Sequence, residues 1–464
     1  MRILAVLLLL SIPAALGVPA QPAPRAARAA AVDVYSVVAE VDRIASRATL
    51  WPDFDPRRIP VEIYDGRTTL LFRHPAPPEE FVSLSSRQGV WAFPGRHETV
   101  TANAPVKLGG VWTATAIIEP TPRRSLKEQA ALVLHEMFHV HQRERHPKWA
   151  GNELELFTYP FEDAELLALR RIETEALRRA ERAARSKDAA CHARLALATR
   201  RERFARLSAG ASGYERALEL NEGLARYVEA RAAGARRSDL NANEYPAGEL
   251  RTRGYAMGHA LALLLERFAP GWAARLEAGD ARSLDELLAA ALPGAPAPES
   301  CALSESFVAS ARSRAKVETE ALIARREALR REFAARAGWK IVVKADAAAP
   351  LWPQNFDPLN VLRIGAADVL HTRHLKLGND AGAIESFHRH MLTGGAGAHP
   401  LFNGVRQLTL AGLAVEPVVR EAEGKLTLEA EGVKAEFRGA QFERTGQTLT
   451  INLQRPPAGE SHAR

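Results

Sequence analysis

The stretch Ala131-Leu132-Val133-Leu134-His135-Glu136-Met137-Phe138-His139-Val140 constrains this chain more than any other, because it sets two imidazoles and one carboxylate in an otherwise uncharged run. On an α-helix, residues four apart share a face, so His135 and His139 can present their rings to one cation. Glu136 is turned ~100° from His135 about the axis, where it can reach a cation-bound water without binding the cation itself. Neutral flanks at 131–134, 137, 138 and 140 suit a helix on the floor of a cleft; a solvated helix would carry Lys or Glu there. Ser125-Leu126-Lys127-Glu128 is a capping box that starts this helix, and Pro147 stops it. The plainer alternative is a core helix with two hydrogen-bonded histidines. Two imidazole ligands, one carboxylate and a water are the donor set that zinc prefers.

Around that helix the chain changes character in order. The pattern predicts a short amphipathic helix over 32–47, then strands at Val61–Tyr64, Thr68–Phe72, Val90–Phe93 and Val111–Ile118 between Pro and Gly turns. The last of these, just ahead of the His-bearing helix, is expected at the rim of the cleft with a free edge that an extended peptide can join. Phe161 to Leu207 reads as a hairpin of two helices broken at Ser186-Lys187-Asp188, with two exposed faces and a narrow apolar stripe. Ser212-Gly213-Tyr214-Glu215 reads as a second capping box, opening a helix to about Ala233. Further helices are expected over 252–268 and 308–336. From Trp339 onward, β-branched runs between Gly and Asn turns predict a separate β-rich domain over 339–455.

The 464 residues, 47% hydrophobic and 25% charged, have room for two or three domains. Met1-Arg2, the apolar run Ile3–Leu10 and small residues at Ala14, Ala15, Gly17 and Ala20 predict a signal peptide over 1–20, with a Pro/Ala/Arg linker over 21–31. No later run is long and apolar enough for a membrane span, so a secreted or periplasmic location is expected. In that setting Cys191 and Cys301 can pair, although the sequence does not say that they meet. The net charge of +7 comes mostly from Arg dispersed along helices, which reads as solvated helical surface rather than a nucleic-acid site and allows weak contact with an anionic surface.

Two histidines hold zinc poorly, and the best third ligand is Glu222 in Leu220-Asn221-Glu222-Gly223-Leu224-Ala225-Arg226-Tyr227, with Glu219 and Glu215 as rivals on neighbouring turns. This segment, following H-E-x-x-H, resembles the gluzincin metallopeptidases, the thermolysin-related zincins, over roughly Val111 to Phe268. The resemblance implies that Glu222 is the third zinc ligand and that Gly223 lets its helix lie close to the first. Two departures stand out. His139 and Glu222 are farther apart than in the thermolysin type, a gap that the inserted hairpin fills. Arg226 stands where members often carry an acid that orients a zinc histidine, so that task must fall to another group.

The expectation is therefore an α+β chain: a zincin-like catalytic core, made of a small mixed sheet (32–122) and a mainly helical unit (123–337), followed by the β-rich domain. It is expected to be a zinc-dependent hydrolase of peptide bonds, with metal ligands His135, His139 and Glu222 and with Glu136 as general base. The resemblance suggests Tyr255 as donor to the developing oxyanion, with His259 as alternative. A non-catalytic envelope protein on the same scaffold is the competing reading, against which the retained Glu136 counts. Tyr227 is expected to be structural, His141 and His146 to lie at the surface, and His371, His374, His388 and His390 to be scattered in loops.

Overall fold

A computed structural model describes residues 33–118, 124–241, 245–292, 301–357, 360–365, 367–397 and 399–453. The expected signal peptide and linker lie outside the described residues. The first helix, α1 (Val34–Arg47), is capped by the Asp33 carboxylate and buries Val34, Val37, Val38, Val41 and Ile44 along one face. Six strands follow: β1 (Val61–Tyr64), β2 (Thr68–Phe72), β3 (Val82–Ser83), β4 (Val90–Pro94), β5 (Ala104–Leu108) and β6 (Val111–Ile117). They form one mixed sheet in the order β3-β4-β2-β1-β6-β5, in which β1 and β6 run parallel.

Strand β6 is not the rim expected from the sequence. β5 hydrogen-bonds along its length, from Ala104↔Thr115 to Leu108↔Val111, and takes the edge. Pro105 and Lys107 hide β5 in the sequence, yet a proline is compatible with an edge strand. Gly109 and Gly110, both at positive φ, close the tight hairpin between the two strands.

The helices are α2 (Leu126–Arg145), α3 (Glu155–Thr158), α4 (Ala164–Arg182), α5 (Ser186–Phe204), α6 (Ala209–Leu218), α7 (Leu224–Ala233), α8 (Leu250–Phe268), α9 (Trp272–Glu277), α10 (Leu284–Ala291) and α11 (Glu305–Ala334). Between α6 and α7, Glu219–Gly223 makes one turn of π-helix. Sheet and helices share one apolar core: Val61, Ile63, Ala114 and Ala116 meet Leu134, Met137 and Phe138 of α2, Leu224 and Val228 of α7, and Leu261 of α8. No described helix is long and apolar enough to cross a membrane.

Two helical expectations fail. The α4–α5 pair is not a solvated hairpin, since Arg170, Arg171, Glu173, Arg200 and Arg203 are buried. Nor does Ser212 open a helix. Ser208 is the N-cap of α6 and accepts from the Ala211 amide, while Ser212 lies inside and bonds back to the Ser208 and Ala209 carbonyls. A disulfide joins Cys191 of α5 to Cys301 ahead of α11.

Beyond α11, thirteen strands among the described residues build a seven-stranded and a six-stranded sheet that enclose a second core, including Ile341, Val343, Leu375, Ile384, Leu410 and Phe437. Phe333 at the end of α11 packs with Leu370 and Ala411 of those sheets and with Ile364, just past the end of a strand. Phe157 of α3 contacts Phe356, His399 and Phe402 from the other side.

Candidate metal centre

The capping box of α2 forms as the sequence predicts: Ser125 Oγ accepts from the Glu128 amide while Glu128 accepts from the Ser125 amide. The helix runs buried from Gln129 to Gln142 except at the half-buried Leu132. His135 and His139 therefore share one face, with Nε2 atoms 3.1 Å apart. Helix α7 packs along α2, and the π-turn at its head brings Glu222 over the two rings. Glu222 Oε2 lies 3.2 Å from His139 Nε2 and 3.9 Å from His135 Nε2.

Each ring is held from its other nitrogen. His135 Nδ1 faces Glu229 Oε2 at 3.1 Å, and His139 Nδ1 faces Gln142 Oε1 at 2.7 Å. Gln142 is oriented by its own amide group, which donates to the Leu220 and Asn221 carbonyls of the π-turn. Both Nδ1 atoms must then be the protonated nitrogens, which turns both Nε2 lone pairs inward. Glu222 Oε2 adds a third inward acceptor, is buried and has no hydrogen-bond partner. Three acceptors facing one another form a cradle for a cation, and His135, His139 and Glu222 could together hold a metal ion. Burial opposes charge on His139, but Glu222 and Glu136 outweigh it and raise its pKa. Burial likewise opposes charge on Glu222, yet His139, Tyr255 and His135 hold it at about 2.

The rivals are excluded by their partners. Arg203 holds Glu215 at 2.5 Å, and Arg200 holds Glu219 at 2.5 Å. Arg200 and Arg203 both also reach Glu173, at 2.8 and 2.6 Å. These carboxylates are spent on a buried ionic network behind the π-turn. Gly223 has a different task from the one the resemblance implies. It does not bring its helix onto α2; it faces Gly258 of α8, where an added Cβ would come within 2.5 Å of the Gly258 Cα.

Glu136 points into a cleft of about 710 Å³ lined also by Asn103, His135, Arg226, Glu229, Arg251 and Tyr255. Glu136 itself is 5% exposed, and burial, partly opposed by His135 and His139, raises its pKa. The Tyr255 ring stacks on His135, centroids 6.0 Å apart and planes 9° off parallel. Arg251 donates to Glu222 Oε1 at 3.0 Å. His259 does not line this cleft. It is buried, with both ring nitrogens unpartnered, against an adjoining cavity of about 350 Å³, and burial lowers its pKa to about 4. Tyr227 bonds Glu266 and Arg231 on the far side of its helix.

Glu229 was not singled out in the sequence, because nothing local shows that this turn of α7 faces His135. It fills the orienting role expected from the position of Arg226, whose guanidinium instead pairs with Glu229 at 2.8 Å. His141 and His146 are not surface residues: both contact Glu277 on the opposite side of α2. Of the C-terminal histidines, His371 lies buried in a strand rather than in a loop, and His374 is also in a strand. Comparison of this chain with known protein families, characterised proteins and solved structures finds no match.

Proposed function

We propose that this protein is an exported zinc-dependent hydrolase that cleaves peptide bonds, with a thermolysin-related, zincin-like core. One observation carries the proposal: His135 Nε2, His139 Nε2 and Glu222 Oε2 converge closely enough to share one ion, and the buried Glu222 Oε2 has no hydrogen-bond partner. Supporting it are a mixed sheet above the H-E-x-x-H helix, an edge strand (β5) that begins next to Asn103 of the cleft lining and a glutamate supplied by a second helix. The disulfide suits an oxidising compartment, and with the N-terminal pattern supports export.

Bound there, zinc would supply Lewis acidity and lower the pKa of a water at its open position. Glu136, beside the histidines yet directed into the cleft, is the proton acceptor, and its raised pKa suits it to receive a proton and pass it to the leaving amine. Tyr255, with its ring set by His135 and Glu222, is the donor to the oxygen on which charge develops. Glu229 and Gln142 fix the imidazole tautomers. The free edge of β5 would align an extended peptide by strand addition.

The test pairs elemental analysis with cleavage of a mixed peptide library in the presence and absence of chelator. Stoichiometric metal and chelator-sensitive cleavage are expected. Glu136→Gln should keep the metal and reduce turnover about 10²- to 10⁴-fold. Protein without metal, or cleavage indifferent to Glu136→Gln, overturns the proposal.

A further inference from the structure

The side of α2 turned away from His135 and His139 carries a second convergence. His141 lies two residues beyond His139, ~200° around the helix. His146 ends the helix with φ −132° and ψ 55°, forced out of helical backbone by Pro147, and its ring lies flat on Trp149 with centroids 3.9 Å apart. Both rings turn to one acid, Glu277, the last residue of α9, which is 6% exposed. His141 Nε2 is 3.2 Å and His146 Nε2 2.8 Å from the same atom, Glu277 Oε2. The ligand atoms of the three residues all lie within 4.8 Å of one another.

We infer that His141, His146 and Glu277 bind a structural divalent transition-metal ion of the zinc class. The crowding at Glu277 Oε2 carries the inference. That oxygen already accepts from Trp51 Nε1 at 2.8 Å. A carboxylate oxygen has two lone pairs, so two imidazole N–H donors in addition would leave three donors for two sites. A single cation among the three residues needs only one of those lone pairs and uses the imidazole nitrogens as ligands. Arg145 Nε donates to the other oxygen, Oε1, at 3.1 Å and reaches Asp53 at 3.2 Å, which orients the carboxylate without occupying Oε2. Two imidazoles and a carboxylate suit zinc, with one position left to solvent. Such an ion would fasten the end of the H-E-x-x-H helix to α9 and to the Trp51 segment, independently of the chemistry on its other face.

The full-length protein is to be loaded with zinc, freed of excess by dialysis, and titrated with a competing chelator. The wild type should hold about two equivalents per chain, since each group supplies a complete two-histidine, one-carboxylate set. His139→Ala and His146→Ala should each hold one, lost at different chelator strengths, and Glu277→Gln should match His146→Ala. One equivalent that survives His139→Ala and disappears in His146→Ala would support this inference while removing the proposed catalytic centre. A wild type with a single equivalent that His139→Ala abolishes overturns the inference without reference to the other variants. So does unchanged zinc content in His146→Ala.

Discussion

Glu229 shows how far a side chain can matter without being one of the candidate metal ligands. Its carboxylate accepts from His135 Nδ1, so the imidazole's other nitrogen keeps its lone pair for the cradle, and Arg226 holds the acid in turn. Glu229→Gln keeps the shape but weakens the acceptor, and affinity for the ion should fall about 10- to 100-fold, read by zinc competition against a chromophoric chelator. An unchanged affinity would mean that packing alone sets the His135 tautomer. His135, Glu136 and His139 were legible because helix geometry converts a spacing of four into a shared face. Glu222 was legible only with the resemblance, and the structure removes its rivals by saturating Glu215 and Glu219 with arginine. Glu229 and Gln142 were not legible, since their role depends on how α7 is rotated against α2, which no local pattern records.

Among elements, the π-turn at Glu219–Gly223 sets the site. A π-turn widens the helix by one residue, and here the Gln142 side chain satisfies two of its carbonyls. Behind it α8 approaches so closely that a Cβ on Gly258 would lie 2.5 Å from the Glu219 carbonyl oxygen and 2.6 Å from the Gly223 Cα, both backbone atoms that cannot swing aside. Gly258→Ala should therefore force α8 and the π-turn apart, destabilising the chain by about 1–3 kcal/mol and weakening metal binding together. Urea unfolding with parallel chelator titration checks both; a loss of stability with intact metal affinity would show that the turn holds its shape without α8. Arg203 braces the helix that leads into this turn, bridging Glu173 of α4 to Glu215 of α6. Removing it takes one cation from two buried carboxylates, of which Glu173 keeps Arg200 and Arg253 and Glu215 keeps Arg253 and the Tyr159 hydroxyl, so Arg203→Ala should cost about 3 kcal/mol, again measurable by urea unfolding. These arginines read as solvated surface in the sequence, because an Arg/Glu-rich helix looks alike whether its charges face water or one another. The disulfide was left open for a related reason: whether two distant cysteines meet depends on the packing of α5 against the approach to α11.

Across the whole molecule, the C-terminal sheets are joined to the helical part by α11 and by Phe157, whose ring stands against His399 and Phe402. Their existence was legible from Trp339 onward, but several strands, such as Trp352–Phe356, Val418–Ala422 and Ala440–Thr445, are largely exposed and polar and lack the apolar alternation that marks a strand. Two fully buried histidines make this region sensitive to acid. Both ring nitrogens of His399 and Nδ1 of His371 lack hydrogen-bond partners. Burial, with Arg363 nearby, lowers the His399 pKa to about 4, and burial, with His399, lowers that of His371 to about 3. An unfolded histidine titrates near ~6.5. Above that pH neither state binds a proton and full stability is present; below it the unfolded chain takes up protons that the folded chain refuses. Stability should therefore fall as pH drops from about 6.5 toward about 4, by up to about 1.4 kcal/mol per pH unit for each ring. His399→Phe keeps an aromatic ring against Phe157 and Phe402 and removes one titrating group, so its unfolding free energy between pH 6.5 and 4.5 should decline less steeply than that of the wild type. Two parallel declines would mean that His399 takes up its proton in the folded chain as readily as in the unfolded one.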